Sequence, residues 1–321
     1  MAVYNFQTTG DEIATNCAAH VENKTILVTG VTPGSLGAGF VIRIAKYRPR
    51  LIILASRNVS KAEKTARDIV TAAPEAKTRI LELDLGSQDQ IRKAALEVNA
   101  YQENIDVLVN SAGVMAVPYG VTKEGIESQF GTNHIGHFLF TNLIMPKLRA
   151  SEYGGRVLIV ASDGCRLGPV RFDDWNFDNG KTYDKWRAYG QAKSANMLFA
   201  VSLAQKLGKK GLLAASMHPG VISTNLGDHL SEEHFKELAQ IDRDIGNRST
   251  WDGFTWKTMD QGVATYVFGA FDPSVLEHNG SFLSDSQVVP PTQVWCWGRD
   301  PVDAERLWKL SEKLVGQQFE Y

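Results

Sequence analysis

The hydrophobic pattern of the chain alternates between two kinds of segment. Short, continuous apolar runs rich in leucine and β-branched residues are typical of strands buried on both faces of a parallel sheet. Between them lie longer stretches whose apolar residues have helical spacing. The runs predicted as strands are Thr25–Thr29, Leu51–Ala55, Ile80–Leu85, Val107–Asn110, Val157–Ala161, Leu213–Met217 and a weaker Ser281–Ser284. The predicted helices include Ser60–Ala73, Gln88–Gln102, Ile126–Leu148 and Tyr189–Leu207.

This alternation predicts an α/β fold with a single Rossmann-type, doubly wound parallel sheet of about seven strands, flanked by helices. We interpret residues 1–23 as a polar N-terminal leader and residues 24–321 as one domain. Two excursions interrupt the pattern, an insertion at 163–183 and a longer segment at 222–257. Long loops in compact domains usually carry function, so we expect 222–257 to be a substrate-binding lid. The aromatic residues of both excursions either line an apolar pocket or belong to the core.

Composition and charge restrict the class of partner. With 43% hydrophobic and 22% charged residues, the chain is typical of a globular protein. Its 34 basic and 36 acidic residues give a net charge of −2, which argues against a nucleic-acid partner. No apolar run approaches the roughly 20 residues of an integral membrane segment. Three widely spaced cysteines favour reduced thiols and a cytoplasmic location. Because the charge balance argues against a nucleic-acid partner, we expect a small-molecule partner.

The first predicted strand ends in a loop rich in glycine, and a helical pattern follows at once. Glycine permits a tight turn and a close approach of the backbone to a pyrophosphate, while the helix N-terminus offers free N–H groups. The position of the loop therefore predicts a dinucleotide site, although a turn needed only for packing would have the same sequence. The loop reads Thr29-Gly30-Val31-Thr32-Pro33-Gly34-Ser35-Leu36-Gly37.

The end of the second predicted strand indicates which dinucleotide is bound. Enzymes that use NAD commonly place a carboxylate there, where it accepts hydrogen bonds from the ribose 2′-hydroxyl. This chain has Arg57 at that point and Lys61 one turn later. Both cations suit a 2′-phosphate, which favours NADP(H). The alternative is that they only form the solvated start of a helix.

Tyr189 and Lys193 stand four residues apart in a helical segment, so both side chains project from one face. A phenol with an ordinary pKa of about 10 is a weak base at neutral pH. A nearby ammonium stabilises the phenolate, and we therefore expect Lys193 to lower the pKa of Tyr189. Taken alone, the pair could equally be an exposed helix pair.

Further motifs follow predicted strands or lie between them, and they are listed here in chain order. They are Asn110-Ser111-Ala112-Gly113, Asn133-His134-Ile135-Gly136-His137, Ser162 and His218-Pro219-Gly220-Val221. With the glycine loop and the Tyr–Lys pair, this ordered set resembles the short-chain dehydrogenase/reductase family from about Lys24 to Gly269. Within it the chain is similar to the branch of retinol dehydrogenases and the WW-domain oxidoreductase. The tail at 304–308 resembles fungal relatives of secondary metabolism.

The resemblance implies hydride transfer between NADP(H) and a carbonyl or alcohol of an apolar small molecule. It implies that Tyr189 is the general acid/base, that Lys193 lowers its pKa and holds the nicotinamide ribose, and that Ser162 binds the substrate oxygen. Asn133 would hold a water of a proton relay through Lys193. The implied cofactor-binding residues are Gly30, Ser35, Leu36, Gly37, Arg57, Lys61, Asp84, Leu85, Asn110, Ala112, Gly113, Tyr189, Lys193, Pro219, Gly220, Val221 and Thr224.

Some features depart from the family pattern or leave alternatives open. The glycine loop is one residue longer than usual, with Ser35 at the second glycine, and Ser111 replaces an asparagine. Three histidines, His134, His137 and His218, match family positions that pack or hydrogen-bond, so we expect no metal. Two other functions are open, a catalytically silent NADP(H)-binding sensor and an epimerase or dehydratase of the same family. A homodimer or homotetramer through the two long helices is also expected from the family.

Overall fold

The computed structural model describes residues 4–247, 251 and 253–321, and the bounds of its elements are as follows. The strands are β1 (Thr25–Thr29), β2 (Leu51–Ser56), β3 (Thr78–Glu82), β4 (Val107–Asn110), β5 (Arg156–Val160), β6 (Leu213–His218), β7 (Val221–Ile222), β8 (Trp256–Lys257), β9 (Phe282–Ser284) and β10 (Gln287–Val288). The helices are α1 (Gly10–Asn16), α2 (Ala18–Val21), α3 (Leu36–Ile44), α4 (Val59–Ala72), α5 (Gln88–Asn99), α6 (Ser128–Phe130), α7 (Gly136–Leu143), α8 (Met145–Arg149), α9 (Lys185–Leu207), α10 (Glu232–Asp244), α11 (Met259–Phe271) and α12 (Pro301–Val315).

The main sheet has eight strands in the order β10-β9-β6-β5-β4-β1-β2-β3, and all its pairings are parallel except β9 with β10. In the central strand β1, Leu27 packs into the core on one face of the sheet, while Ile26 and Val28 pack into the core on the other. All three side chains are fully buried, as a strand covered on both sides requires. The predicted doubly wound α/β fold is therefore confirmed.

Two details of the sheet differ from the prediction. β3 occupies Thr78–Glu82 instead of Ile80–Leu85, because Asp84 already belongs to a turn in which its Oδ1 accepts the N–H of Gly86 at 3.0 Å. The eighth strand, β10, is only two residues long and pairs with β9 around a two-residue turn at 285–286, both of positive φ. A strand of two residues leaves no periodic pattern to detect.

Part of the segment that we interpret as a polar N-terminal leader is helical; its residues 1–3 lie outside the described part. Residues 10–21 form α1 and α2, which lie against the helices that cover one face of the sheet. Ile13, Ala14 and Val21 are fully buried there, while the charged residues of α1 face outward. Thr9 caps α1 by accepting the N–H of Glu12. A single buried stripe on a short polar helix is a weak hydrophobic signal, which is why the sequence predicted no helix in this segment.

The predicted helix over 126–148 is divided into three helices. A π-helical turn at Gly131–Ile135 separates α6 from α7, and α8 begins after Ile144, with Pro146 in its first turn. Proline has no N–H to continue the preceding helix, which explains this second break. The π turn contains Asn133 and therefore shapes the candidate site.

The C-terminal helix α12 lies on α7 and α9. The ring of Trp308 lies 5.0 Å from that of Phe138 and 6.2 Å from that of Phe199, measured between centroids. Ser202 donates a hydrogen bond from Oγ to the carbonyl of Ala304 at 2.9 Å. Part of the surface that we expected to mediate oligomer contacts is thus covered by the chain itself. Among residues 4–247 and 253–321, no helix has the length and apolar character needed to cross a bilayer.

Candidate active site

Ser162, Tyr189 and Lys193 meet at the carboxyl end of β5. Ser162 follows that strand; its Oγ accepts the N–H of Gly164 at 3.0 Å and is hydrogen-bonded to the phenol of Tyr189. Lys193 lies one turn further along α9; its Nζ donates to the carbonyl of Val160 at 3.0 Å and is 5.5 Å from the centroid of the Tyr189 ring. Three of the four residues predicted as catalytic are therefore neighbours.

The pKa of Tyr189 is shifted in the direction opposite to our expectation. Burial raises it to about 12, and the hydrogen bond from Ser162 lowers it only in part. Burial also lowers the pKa of Lys193 to about 8. Desolvation is the largest cause of both shifts, because a buried site disfavours every charged form. At neutral pH the site thus contains a protonated phenol, which is suited to donating a proton.

Gly164 is a residue of this site that the sequence analysis missed. A Cβ at that position would lie 2.7 Å from Cε1 of Tyr189, so only glycine allows the backbone after Ser162 to lie against the phenol ring. Gly190, the residue after Tyr189, has a similar role, because a Cβ there would lie 3.0 Å from the carbonyl oxygen of Gly164. The only signal in the sequence is a glycine two residues after Ser162.

Asn133 is fully buried in the π turn, and both polar atoms of its side chain bind the backbone of Val114. Oδ1 accepts the Val114 N–H and Nδ2 donates to the Val114 carbonyl, each at 2.8 Å. The side chain therefore fixes the loop after β4, next to Gly113. The water that we expected Asn133 to hold would have to bind its backbone instead.

His137 connects this turn to the end of β1 through a defined set of hydrogen bonds. The Thr29 hydroxyl oxygen accepts two backbone N–H groups, from Ser111 at 2.9 Å and from Ala112 at 3.0 Å. With both lone pairs occupied, its hydrogen must point to His137 Nε2, 2.9 Å away. His137 therefore carries its proton on Nδ1 and donates it to the carbonyl of Asn133 at 2.9 Å. Burial lowers the pKa of His137 to about 4, which keeps the ring neutral.

The glycine loop has the shape expected for a pyrophosphate cradle. Gly30 has a φ of +77°, and a Cβ on it would lie 2.6 Å from Cα of Ala112. Ser35 caps α3: its Oγ accepts the N–H of Ala38 and donates to the carbonyl of Gly30 at 2.9 Å. The serine that replaces a family glycine thus closes the loop and leaves the N–H groups of Leu36 and Gly37 at the helix start for an anion.

The far end of the predicted cofactor site is open and cationic. Arg57 and Lys61 are both exposed, at the end of β2 and in the first turn of α4. Asn58 caps that helix by accepting the N–H of Lys61 at 3.0 Å. Leu85 is buried beside Asp84 in the turn after β3. These residues lie at the same edge of the sheet as the glycine loop, because parallel strands all end there.

Asn110 and Ser111 lie at the end of β4, between the glycine loop and the catalytic group. Nδ2 of Asn110 donates to Thr141 Oγ1 at 2.9 Å, whereas its buried Oδ1 has no hydrogen-bond partner among the described residues. An orphaned acceptor fits a ligand hydroxyl such as that of a ribose. Ser111 Oγ lies 2.9 Å from the hydroxyl of Tyr266, so the unusual serine is paired inside the fold.

The segment after β6 contains the last group of predicted cofactor residues. Gly220, between Pro219 and β7, has a φ of +102°, and a Cβ on it would lie 2.6 Å from Cδ of Lys257. Val221 pairs with Trp256 in the two-stranded β7–β8 ladder, and Thr224 precedes a short 3₁₀ turn at 225–227. The adjoining Asn225 donates to the carbonyl of Pro33, so the start of the lid touches the glycine loop.

The aromatic residues of the two excursions have different surroundings. Phe177, at 163–183, is fully buried, while Phe172 and Trp175 pack against the main core. Three aromatic residues of 222–257, Phe235, Trp251 and Phe254, belong instead to a separate apolar cluster beside the site, whereas Trp256 is exposed. This lid cluster comprises Met115, Ala116, Leu167, Trp186, Leu230, Phe235, Leu238, Ile241, Ile245, Trp251 and Phe254.

Comparison with known proteins agrees with this geometry. Residues 24–174 match the family model described as short chain dehydrogenase. The chain is 39% identical to retinol dehydrogenase 13 of Mus musculus, over 93% of this chain and 85% of that protein. It is 33% identical to the short-chain dehydrogenase TIC 32 A, chloroplastic, of Brassica napus, over 97% and 94%.

Solved structures share the fold. An uncharacterised protein from Mycobacterium paratuberculosis matches with a TM-score of 0.70 and 31% identity, over 95% of this chain and 98% of that one. A gluconate 5-dehydrogenase from Burkholderia cenocepacia, in complex with NADP and tartrate, matches with a TM-score of 0.62 and 20% identity over 82% and 93%. A short chain dehydrogenase from M. paratuberculosis bound to NAD has a TM-score of 0.64 and 17% identity over 84% and 99%.

Fold and sequence similarity together define an oxidoreductase class whose structural neighbours bind NAD or NADP. The chain belongs to the short-chain dehydrogenase/reductase family, and it resembles the retinol dehydrogenase branch.

Proposed function

We propose that the protein is an NADPH-dependent reductase that converts a carbonyl group of an apolar small molecule to an alcohol, and that catalyses the reverse oxidation. The observation that carries this proposal is the cluster of Ser162, Tyr189 and Lys193 beside the glycine loop, at the carboxyl edge of the sheet. Ligands of open α/β folds bind at this edge.

Each catalytic side chain has a chemical role in this proposal. NADPH, when bound, supplies the hydride. Tyr189 donates the proton to the substrate oxygen, and its raised pKa keeps the phenol protonated for that purpose. Ser162 donates a second hydrogen bond to the same oxygen. Lys193 holds the nicotinamide ribose and returns a proton toward Tyr189, while Asn133 fixes the loop at 113–114 and offers its backbone to a relay water.

The cofactor preference rests on charge. Arg57 and Lys61 are exposed cations at the end of β2, a position suited to the 2′-phosphate of NADPH. The glycine loop and α3 would hold the pyrophosphate, with Gly30, Ser35, Leu36 and Gly37. Asp84 and Leu85 would border the adenine, and its ribose would be bound by Asn110, Ala112 and Gly113. The nicotinamide would lie against Pro219, Gly220, Val221 and Thr224.

The lid cluster supports an apolar substrate, because it joins residues of the lid to Leu167, at the end of the turn after Ser162, and to Trp186, one turn before Tyr189 in α9. A place in fungal secondary metabolism is the biological context that we propose. Three free cysteines, two of them buried, support a reducing compartment, and we propose the cytoplasm. The family's homodimer or homotetramer would need to accommodate α12, which lies on both long helices.

The test is turnover of NADPH and of NADH on a panel of aldehydes, ketones and aromatic carbonyl compounds, by the wild type, Tyr189→Phe and Arg57→Ser. We expect faster turnover with NADPH, loss of turnover in Tyr189→Phe, and a preference reduced about tenfold or more in Arg57→Ser. Wild-type turnover by Tyr189→Phe would contradict the catalytic assignment. Faster turnover with NADH would contradict the cofactor assignment, and NADPH binding without turnover on any carbonyl would favour a sensor.

A further inference from the structure

A buried ion pair joins the lid to the turn that follows Ser162. Arg166 lies in the 3₁₀ turn at Asp163–Leu167, and Asp242 lies near the end of the lid helix α10. Arg166 Nε donates to Asp242 Oδ1 at 2.9 Å and a terminal guanidinium nitrogen donates to Oδ2 at 3.1 Å. The two side chains are 9% and 0% exposed. Two parallel hydrogen bonds of this kind fix both the distance and the orientation of the partners.

Further contacts from the lid complete the surroundings of the pair. Asn247 Nδ2 donates to Asp242 Oδ1 at 2.5 Å and to the carbonyl of Arg166 at 3.4 Å. The backbone N–H of Trp251 donates to Asp242 Oδ2 at 3.3 Å, and the Trp251 ring lies 4.7 Å from the Arg166 guanidinium. The carboxylate thus receives hydrogen bonds from three different segments, as a buried charge requires.

The turn that carries Arg166 also contacts the catalytic residues. It begins at Ser162, and Gly164 within it lies against the ring of Tyr189. Leu167, at its end, belongs to the lid cluster. One five-residue turn therefore touches the catalytic phenol at one side and holds the lid helix at the other.

Two further polar contacts between the lid and its surroundings, both among the described residues, are more exposed. Lys185 and Glu237 form an ion pair at 2.6 Å, with side chains 23% and 47% exposed. Before the helix, His229 contacts the carbonyl of Met115 at 2.9 Å, again at the surface. Exposed pairs contribute little to stability, whereas the loss of one partner of a buried pair is strongly destabilising. Of these contacts, the one made by Asp242 is the most buried and is therefore the one whose loss should displace α10 most.

We propose that Arg166 and Asp242 are a positioning pair that holds the lid closed over the substrate site and thereby determines the affinity for an extended apolar substrate. The expected effect of the pair on substrate affinity rests on the proposed reductase function, whereas its expected effect on the position of α10 does not. The hydrogen bonds given above for the pair involve neither the glycine loop nor the residues at the end of β2. Its loss should therefore act on the substrate and not on NADPH.

The experiment compares the wild type with Asp242→Asn, which keeps the shape of the side chain but removes the buried one of the two negative charges near Arg166; the other is the half-exposed Asp163, 3.7 Å away. We expect KM for the best carbonyl substrate to rise about tenfold or more, with kcat within about threefold and the Kd of NADPH unchanged. Hydrogen exchange of the backbone amides of residues 232–244 should become about tenfold faster or more, because α10 opens more often.

A control and a rescue variant separate this role from general damage. Glu232→Gln removes a charge from the same helix, in an exposed pair 3.9 Å from Lys236, and should leave KM and exchange unchanged. The double variant Arg166→Met/Asp242→Leu replaces the ion pair by apolar side chains, an exchange that buried pairs often tolerate. It should restore slow exchange of α10 and a KM within about threefold of the wild type.

Unchanged KM and unchanged exchange in Asp242→Asn would overturn the proposal, as would a fall in kcat at constant KM. If the wild type reduces no carbonyl compound, the proposed function fails while the exchange measurement still decides the positioning role. Faster exchange confined to α10 and its neighbours would then support the pair, and exchange at the wild-type rate would overturn it.

Discussion

The glycine loop and the lid lie at the same edge of the sheet, but they are held in different ways. The loop is fixed by backbone geometry and by hydrogen bonds between the ends of neighbouring strands, such as those of the Thr29 hydroxyl. The lid is attached by a two-residue ladder and by a buried ion pair between residues 76 positions apart. A rigid cofactor cradle beside a lid whose helix α10 has its own attachment would let one catalytic centre accept different substrates while the cradle keeps its shape.

We expect the largest effect on NADPH binding from a substitution of Gly30 in the glycine loop. In Gly30→Val, a branched side chain at a φ of +77° would lie against Cα of Ala112, which displaces the cradle. We expect the Kd of NADPH, measured by fluorescence titration, to rise about 100-fold or more, with a lower Tm. Gly125→Ala is the matched control: its φ is +78°, but no atom lies within 4 Å of a Cβ there. Similar Kd changes in both variants would contradict the role of close approach.

A smaller effect is expected from the buried histidines. His137→Phe removes the connection between Thr29 and Asn133, whereas His134→Phe removes a hydrogen bond to Ser311 of α12 at 2.9 Å. Each should lower the free energy of unfolding by about 1–3 kcal/mol, because a buried partner is left unsatisfied. Only His137→Phe should weaken NADPH binding.

Denaturant unfolding and titration with NADPH measure the two quantities. In the wild type, ¹⁵N chemical shifts should show the His137 proton on Nδ1 from neutral pH down to about 5, since its pKa is about 4. A proton on Nε2, or equal NADPH binding by both variants, would refute the proposed connection.

The smallest expected effect is a pH dependence of the reduction rate. It comes from the catalytic centre and not from the glycine loop or the lid. Burial lowers the pKa of Lys193 to about 8, so this ammonium is charged below that pH and neutral above it. The rate of carbonyl reduction should be constant below about pH 8 and fall about tenfold per unit above it. Tyr189, with a pKa of about 12, stays protonated throughout.

Lys193→Arg, which retains its charge, supplies the control for this profile. The variant should lose the decline near pH 8 even if its rate is lower, because arginine does not lose its proton in this range. A decline at the same pH in Lys193→Arg would assign the titration to another group.

The elements that carry the predicted cofactor residues could be located from the sequence. The glycine loop, the strand ends at Asn110 and Ser162, and the Tyr189–Lys193 spacing are local patterns. The structure brings Ser162, Tyr189 and Lys193 together. Gly164 was missed because its constraint comes from a ring 25 positions later in the chain. The direction of the Tyr189 pKa shift was wrong because burial cannot be judged from the spacing of two residues.

The lid side could be located but not described from the sequence. Its bounds and aromatic content indicated a functional excursion, yet nothing in the sequence pairs Arg166 with Asp242, since each is one of many charged residues. The packing of α12 on α7 and α9 was missed for the same reason. Contacts between distant segments depend on the assembled fold, while caps, turns and strand ends depend on neighbouring residues.

The most direct test of the account is a single-turnover reaction with NADPH that carries deuterium at the transferable C4 position. We predict one deuterium on the carbinol carbon of the alcohol product, and a rate at least about 100-fold lower in Tyr189→Phe. A product without deuterium, or deuterium transfer by Tyr189→Phe at the wild-type rate, would contradict hydride transfer with Tyr189 as the proton donor.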